Sequence, residues 1–309
     1  MTTSTAELIL DARNGTGESP VWHAGEQALF WVDIPARKLC RWSLASARLT
    51  EWTAPEMLAC VSPLSGGAGQ ASRWIAGAES GVYQLDLLDM QMGGPLAFKP
   101  LAPVDHAMAG MRFNDGRCDR QGRFLAGTML MNMGAAQAVG HIYRYDPQGS
   151  LQSLLDGFIT PNGMAFSPDG KTMYLSDSHP AVQMVWAFDY DIDTGTPSNR
   201  RVFADMNALP GRPDGAAVDA DGCYWVCGND AGLVHRFTPD GKLDRSLAVP
   251  VKKPAMCAFG GANLDTLFVT SIRPDGVDLS DQPLAGGLFA LRPGVCGLAE
   301  VDCVSSPGS

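Results

Sequence analysis

Two segments of similar pattern, Pro161-Asn-Gly-Met-Ala-Phe-Ser-Pro-Asp-Gly-Lys-Thr-Met-Tyr-Leu-Ser-Asp177 and Pro213-Asp-Gly-Ala-Ala-Val-Asp-Ala-Asp-Gly-Cys-Tyr-Trp-Val-Cys227, decide the fold. Each has a small polar pair, an apolar strand, an Asp-Gly pair and then a second apolar strand that contains aromatic residues. Asp-Gly between alternating apolar runs favours a two-residue hairpin turn, because glycine tolerates positive φ and the twist of the turn matches that of the strands. Both segments therefore predict antiparallel hairpins.

The same pattern recurs along the whole chain. Its six copies are 41 to 53 residues apart and begin near Glu18, Ser62, Asp115, Asn162, Asp214 and Ala255. This spacing is close to the ~40 to 50 residues of a propeller blade, and it predicts an all-β, six-bladed β-propeller, with residues 1–309 as a single domain. A β-sandwich does not explain the period, and two separate β domains would need a linker that the sequence does not contain.

Composition narrows the classes of partner. The 309-residue chain has a net charge of −10 and no run of Lys or Arg, so nucleic acid is a poor partner. It starts without a signal-peptide pattern and contains no apolar run of about eighteen residues, which predicts a cytoplasmic protein with no membrane association. Its eight scattered cysteines are predicted to be buried and reduced. The oligomeric state cannot be inferred from the sequence.

Equivalent positions of a propeller repeat converge on one axis, and here they carry oxygen atoms. Aligning the copies by their small residue puts Glu18-Ser19, Asp115-Gly116, Asn162-Gly163 and Asp214-Gly215 in register. Carboxylates crowded at one channel mouth need a cation to neutralise them, and the neighbouring Gly or Ser permits close backbone approach. We therefore predict a divalent metal in the central channel.

The predicted donors are two carboxylates and an amide, which favour a hard cation such as Ca²⁺, Mg²⁺ or Mn²⁺. Zn²⁺ and Fe²⁺ remain open, because three protein ligands plus water is a common catalytic arrangement. The sequence has no G-x-S-x-G, H-E-x-x-H, P-loop or G-x-G-x-x-G motif, so covalent serine chemistry and dinucleotide binding are disfavoured.

Six short segments, in order and at blade-length spacing, resemble the SMP-30/gluconolactonase family, which includes regucalcin. They are Gly17–Trp22, Arg112–Gly116, Gly127–Met129, Pro161–Gly163, Pro213–Gly215 and Phe259–Gly261. The resemblance covers nearly the whole chain. It implies a six-bladed propeller that hydrolyses a sugar lactone with one divalent cation.

The resemblance also implies roles for individual residues. Glu18, Asn162 and Asp214 match the metal ligands of the family, while Arg112 and Asn114 match residues that bind the substrate. Asp214 is the predicted general base, although a metal-bound hydroxide would serve the same purpose. The cation would polarise the lactone carbonyl for attack by water.

Two further residues are predicted to lie near the site. Asp115 is assigned a supporting role beyond the direct ligands, in which it orients ligands or water. Asn132, in the stretch Leu130–Met133, is expected to replace an acidic substrate-binding residue of the family. The uncharged amide and flanking methionines predict a less polar pocket wall and a preference for a pentonolactone or deoxy-sugar lactone.

Three functions are compatible with this reading. The first is metal-dependent hydrolysis of an aldonolactone to the aldonic acid, with a small sugar lactone as the only partner. The second is a regucalcin-like calcium-binding regulatory protein without important turnover. The third is a promiscuous ester or organophosphate hydrolase. Arg112 and Asn114 favour an enzyme over a calcium buffer, since a buffer needs neither residue.

Overall fold

A computed structural model describes residues 5–65, 73–87 and 94–304. These residues form six four-stranded antiparallel sheets. The innermost strand of each sheet contacts the innermost strands of its two neighbours, and the ring closes between the first and last sheets. The predicted all-β, six-bladed propeller is therefore confirmed.

The first three blades follow the chain in simple order from the channel outwards. Blade 1 consists of β2 (Gly17–His23), β3 (Ala28–Asp33), β4 (Lys38–Ser43) and β5 (Leu49–Thr53). Blade 2 consists of β6 (Leu58–Pro63), β7 (Arg73–Ala78), β8 (Gly81–Asp86) and β9 (Ala97–Pro103). Blade 3 consists of β10 (Met111–Cys118), β11 (Phe124–Leu130), β12 (Gly140–Asp146) and β13 (Ser150–Phe158).

Blades 4 and 5 keep the same order, whereas blade 6 combines strands from both ends of the described chain. Blade 4 consists of β14 (Pro161–Phe166), β15 (Thr172–Asp177), β16 (Met184–Asp191) and β17 (Thr196–Asp205). Blade 5 consists of β18 (Arg212–Val218), β19 (Tyr224–Asn229), β20 (Leu233–Phe237) and β21 (Leu243–Ala248). Blade 6 consists of β22 (Pro254–Gly260), β23 (Thr266–Ser271), β24 (Leu288–Leu291) and, outermost, β1 (Glu7–Leu10).

Helical structure is confined to two three-residue 3-10 helices in the part of the chain that the structure describes, Met133–Ala135 and Met206–Ala208. Within that same part, no helix is long and apolar enough to span a membrane. All eight cysteines are free, and seven of them are buried as predicted. Cys296 is the exception, because it lies exposed near the C-terminal end of the described chain.

Every innermost strand contains a β-bulge where it pairs with the second strand of its blade. A bulge bends the strand and changes the direction of the side chains beside it. In β14 the bulge includes Gly163, which has a φ of 60°. A Cβ there would lie 2.4 Å from the hydroxyl of Tyr224 and 3.0 Å from the carbonyl oxygen of Asp214. Only glycine fits this position, so neighbouring blades can approach closely beside Asn162.

Aromatic residues fill the space between neighbouring blades. Trp31, Trp74 and Trp225 are fully buried, and the ring centroids of Phe30 and Trp74 are 4.4 Å apart between blades 1 and 2. Truncation of one such side chain to alanine typically costs about 3 to 5 kcal/mol of stability. This packing holds the blades at fixed angles around the channel, and the channel mouth inherits that rigidity.

Candidate metal centre and active site

The oxygen-bearing side chains of four blades meet in one cavity of about 400 Å³. Glu18 lies on β2, Asn114 on β10, Asn162 on β14 and Asp214 on β18. All four are buried and all four line the cavity. The convergence predicted from the repeat is thus present, although one of its members differs from the prediction.

That difference concerns Asp115, whose assigned repeat phase is wrong by one residue. In β10 the pairing shifts between Phe113 and Gly116, and in β18 it shifts between Pro213 and Ala216. Asn114 therefore corresponds to Asp214. Asp115 occupies the next position of the bulge, which corresponds to a glycine in β18.

Asp115 consequently points away from the cavity into the contact between blades 3 and 4. Its Oδ2 accepts a hydrogen bond of 2.7 Å from the backbone N–H of Met164, two residues beyond Asn162. Its Oδ1 is buried and has no hydrogen-bond partner among the described residues. Burial raises the pKa of Asp115, while the nearby Arg117 guanidinium lowers it in part. The contact of Asp115 is with the backbone that carries Asn162.

The strands that carry the site are fixed where they enter the channel. Asp33, at the end of β3, accepts a hydrogen bond of 3.0 Å from the backbone N–H of Thr16, just before β2. Asp177, at the end of β15, accepts one of 3.1 Å from the backbone N–H of Thr160, just before β14. Both carboxylates satisfy loop N–H groups that no strand pairs, and this holds the starts of β2 and β14 in place.

Asp214 accepts hydrogen bonds from two side-chain amides. Asn162 donates from Nδ2 to Oδ1 of Asp214 over 2.5 Å, and Asn229 donates from Nδ2 to Oδ2 over 2.5 Å. Asn229 ends β19, the strand that pairs with β18, and also lines the cavity. The sequence analysis missed it. The available signal was the Asp221-Gly222 hairpin, which brings the end of β19 back beside the start of β18.

The two cavity carboxyls resist ionisation. Burial raises the pKa of Glu18 well above its usual range, and the nearby Asp214 and Asp115 raise it further, while Arg112 opposes the shift. Burial also raises the pKa of Asp214 to about 7, against the hydrogen bond from Asn229. Two buried carboxyl groups with raised pKa values are characteristic of a site that binds a cation, which neutralises them when they ionise. They are also characteristic of a site in which one of the acids takes part in proton transfer.

The donor chemistry fits a divalent metal. Glu18 and Asp214 offer carboxylate oxygens, and Asn162 offers one amide oxygen, which is the all-oxygen set that hard cations prefer. Among the described residues, no three His, Cys, Asp or Glu side chains form a group able to hold a metal ion. A three-ligand site here would therefore use an amide oxygen beside the two carboxylates, which Asn162 can offer, with further positions left for water or substrate.

Arg112 and Asn114 form a connected pair beside these donors. Nη1 of Arg112 donates to the carbonyl oxygen of Phe113 over 2.7 Å and to Oδ1 of Asn114 over 2.9 Å. Nδ2 of Asn114 donates to the carbonyl oxygen of Pro161 over 3.0 Å, which links blade 3 to blade 4. Burial lowers the pKa of Arg112 to about 10, so the guanidinium remains charged at neutral pH.

Asn132 is not brought into the cavity. It is exposed, directly precedes the 3-10 helix Met133–Ala135 and is absent from the cavity lining. Its neighbours Met131 and Met133 line the cavity instead, together with Met129. The wall is apolar, as the methionines in this stretch predicted, but Asn132 does not form it.

The cavity is also lined by two cations that the sequence analysis did not identify, Arg212 and Lys253. Arg212 is the first residue of β18, and Lys253 directly precedes β22. Arg212 directly precedes the segment Pro213–Gly215 and corresponds to Arg112 in the repeat, whereas Lys253 follows Lys252 in a stretch without a motif. Only the assembled ring of blades shows that both face the channel.

Comparison with known proteins identifies the family to which this chain belongs. The family model described as "SMP-30/Gluconolactonase/LRE-like region" matches residues 16–273. The 6-deoxy-6-sulfogluconolactonase of Pseudomonas putida is 38% identical over 298 residues, which cover 96% of this chain and 97% of that protein. Regucalcin of Gallus gallus is 35% identical over 303 residues, which cover 94% and 95%. The crystal structure of a calcium-binding protein, regucalcin, from Agrobacterium tumefaciens matches with a TM-score of 0.87 at 27% identity, covering 98% and 99%.

Proposed function

Because the chain belongs to the SMP-30/gluconolactonase family, we propose that it is a lactonase that opens a sugar lactone to the aldonic acid with the help of one divalent cation. The observation that carries the proposal is the meeting of Glu18, Asn162 and Asp214 with Arg112 and Asn114 in a single cavity. The first three supply hard oxygen donors, and the last two supply hydrogen bonds for a polyhydroxylated ligand.

In this proposal the residues divide three tasks among them, and Asp214 takes part in two. Glu18, Asn162 and Asp214 hold the cation, which when bound supplies Lewis-acid polarisation of the lactone carbonyl. Arg112 and Asn114 hold the oxygen atoms of the sugar and fix its orientation. Asp214 accepts a proton from the attacking water.

The proton balance is complete within the site. As water attacks the carbonyl carbon, Asp214 takes one proton, and the bond between that carbon and the ring oxygen breaks. The ring oxygen leaves as an alkoxide and takes the proton that Asp214 holds. A bound cation would favour the ionised form of Asp214, which is the form able to accept this proton and pass it on.

A protein that only binds calcium would not need all the polar residues that line this cavity. Donor oxygens are sufficient for a calcium site. The charged Arg112 lines the same cavity and Asn114 is hydrogen-bonded to it. Placing a buried cation beside a metal site weakens metal binding by charge repulsion, so its presence favours a site that also binds a substrate.

The test uses protein stripped of metal with a chelator and reloaded singly with Ca²⁺, Mg²⁺, Mn²⁺, Zn²⁺ or Fe²⁺. Hydrolysis of a panel of aldonolactones is followed in a pH-stat, because ring opening releases an acid. We expect activity that disappears with the metal and returns with at least one cation. Full activity in the stripped protein would disprove the metal requirement, and no hydrolysis of any lactone under any loading would disprove the function.

A further inference from the structure

Two further cations, at blades 5 and 6, line the same cavity as Arg112. Arg212 belongs to blade 5 and Lys253 lies at the entrance to blade 6, whereas Arg112 belongs to blade 3. In a closed ring of six blades, blades 3 and 6 are opposite each other. Since all three side chains line the same cavity, it carries positive charge on two opposed walls.

The two cations are held together by a shared acid. Nε of Arg212 lies 2.6 Å from Oδ2 of Asp230, and Nζ of Lys253 pairs with Oδ1 of the same carboxylate. Burial alone would raise the pKa of Asp230, but the hydrogen bonds from Arg212 and Lys253 outweigh it and keep the pKa below the usual range. Asp230 supplies one negative charge to these two cations, and the next acid is Asp214, the cavity carboxyl on β18, whose pKa burial raises and Arg212 lowers in part.

The arrangement also leaves hydrogen-bond donors available. Nη1 of Arg212 donates to the carbonyl oxygen of Ser178 over 3.2 Å, which fixes the plane of the guanidinium. The Nη2 group makes no hydrogen bond with the part of the chain that the structure describes, and Lys253 has three N–H donors of which Asp230 uses only part. The side chains of Arg212 and Lys253 are 21% and 27% exposed, so an incoming ligand can reach them.

This local charge is opposite in sign to that of the whole molecule, whose net charge is −10. A protein of that charge repels an anion at long range, whereas a fixed cationic wall inside a cavity attracts one at short range. A neutral sugar would offer only uncharged acceptors to Nη2 of Arg212 and to the remaining donors of Lys253. An anionic oxyacid group fits this wall, because a planar guanidinium and an ammonium can each donate to its several oxygens.

We propose that Arg212 and Lys253 bind an anionic oxyacid group, a sulfonate or a phosphate, that the substrate carries at the end remote from its lactone carbonyl. The inference rests on the proposed function and names its substrate class as lactones of anionic sugars. The carbonyl would face the oxygen donors and the anionic group would face blades 5 and 6.

The test compares kcat/KM for three matched substrates, glucono-1,5-lactone, its 6-phosphate and its 6-deoxy-6-sulfo analogue, after subtraction of spontaneous hydrolysis. They are assayed with the metal-loaded wild type, Arg212→Gln and Lys253→Met. The control is Lys252→Met, because Lys252 is the next residue but pairs with Asp281 and does not line the cavity.

We expect the wild type to prefer at least one charged lactone, with a KM for it that rises with salt concentration. Arg212→Gln and Lys253→Met should each lower the ratio of charged to neutral kcat/KM about tenfold, as expected for loss of one charge-assisted contact. Lys252→Met should keep the wild-type ratio. The two charged substrates distinguish a sulfonate-binding from a phosphate-binding site.

Equal use of charged and neutral lactones by the wild type, or a ratio that neither cavity variant changes, would overturn the inference and leave the proposed lactonase standing. Hydrolysis of none of the three, with every metal loading and with the aldonolactone panel also inert, would instead overturn the proposed function and the inference with it. The two failures are therefore distinguishable.

Discussion

Asn229 donates a hydrogen bond of 2.5 Å from its side-chain amide to Oδ2 of Asp214, on the neighbouring strand of the same blade. The other oxygen of Asp214 accepts from Asn162, on the adjacent blade. The carboxylate is thus held from two sides, and its orientation is fixed before any ligand arrives. Asn229 is a positioning residue in this arrangement.

Replacing Asn229 by alanine is therefore expected to reduce kcat about tenfold with little change in KM, because Asp214 loses one of its two supports. Steady-state kinetics with a metal assay on the same sample measures this. Asn207→Ala, which removes an exposed amide elsewhere, is the matched control. Unchanged kcat in Asn229→Ala with the cation still bound would contradict the positioning role.

Asp214→Asn should have a larger effect, since the amide cannot accept the proton of the attacking water. Loss of general-base help costs on the order of 10²- to 10⁴-fold in kcat. Metal content is measured alongside, so that loss of the cation is not mistaken for loss of the base. Asp240→Asn, the control, removes an exposed carboxylate and should leave kcat unchanged. Near-normal turnover by metal-loaded Asp214→Asn would reject the assignment of Asp214 as base.

Arg112→Ala should act mainly on substrate binding. A hydrogen bond from a charged donor is worth about 1.5 to 3 kcal/mol, which corresponds to roughly a 10- to 150-fold increase in KM if it contributes equally before and during the reaction. Arg201→Ala, at a surface ion pair with Asp189, serves as the control. A variant Arg112→Ala that loses kcat while retaining KM would assign Arg112 to the transition state instead of to binding.

The raised carboxyl pKa values predict how pH and metal act on stability. In the metal-free protein the pKa of Asp214 is raised to about 7 from an ordinary 3.8. Between these values the folded state binds a proton that the unfolded state does not, so this group makes the metal-free protein less stable as pH rises through that window. The raised pKa of Glu18 acts in the same direction.

A cation that binds the ionised carboxyls should remove this loss, and its stabilisation should grow as pH rises, because protons compete with it for the same oxygens. The measurement is Tm from pH 4 to pH 8 with chelator and with metal. Asp214→Asn, compared with the wild type in chelator, isolates the contribution of that one group. An identical pH dependence of Tm in the two metal-free proteins would show that Asp214 ionises normally.

The exposed position of Asn132 predicts that Asn132→Glu leaves the relative kcat/KM for gluconolactone and a pentonolactone unchanged. Met133→Glu should alter that ratio, because Met133 lines the cavity and a carboxylate there adds a strong acceptor for sugar hydroxyls. Competition between the two lactones in one reaction measures the ratio directly. A change with Asn132→Glu alone would return Asn132 to the list of substrate-binding residues.

The sequence predicts those features of the fold and the site that follow from its repeat, but not those that depend on single residues. The propeller and the convergence of Glu18, Asn162 and Asp214 follow from a repeat, because equivalent residues of a closed ring must share one axis. Asp115 was misplaced by one position because the repeat was aligned by its glycine, and Gly116 stands one position later in β10 than Gly215 does in β18. Asn229 belongs to no motif and becomes visible only when strand pairing is known.

Arg212 and Lys253 were missed for a different reason. Arg212 stands at the repeat position of Arg112, but nothing in the sequence pairs it with Lys253 in another blade, and basic residues usually lie on a solvated surface. Their meeting at Asp230 depends on the angle between blades 5 and 6, which packing sets and no local pattern records. Asn132 shows the converse, since it lies between Met131 and Met133 in the sequence, and those two residues line the cavity while Asn132 does not.

The pairing of β1 with β24 in the last blade has a consequence for biosynthesis. β1 leaves the ribosome before the five blades that follow it, yet the strand it needs is made after all of them. Until then the ring is an open arc, with the hydrogen-bonding groups of β1 and later of β24 available to other chains. Closure is therefore the last and most non-local step of folding, and a nascent chain of this protein needs protection from edge-to-edge association for almost the whole time of its synthesis.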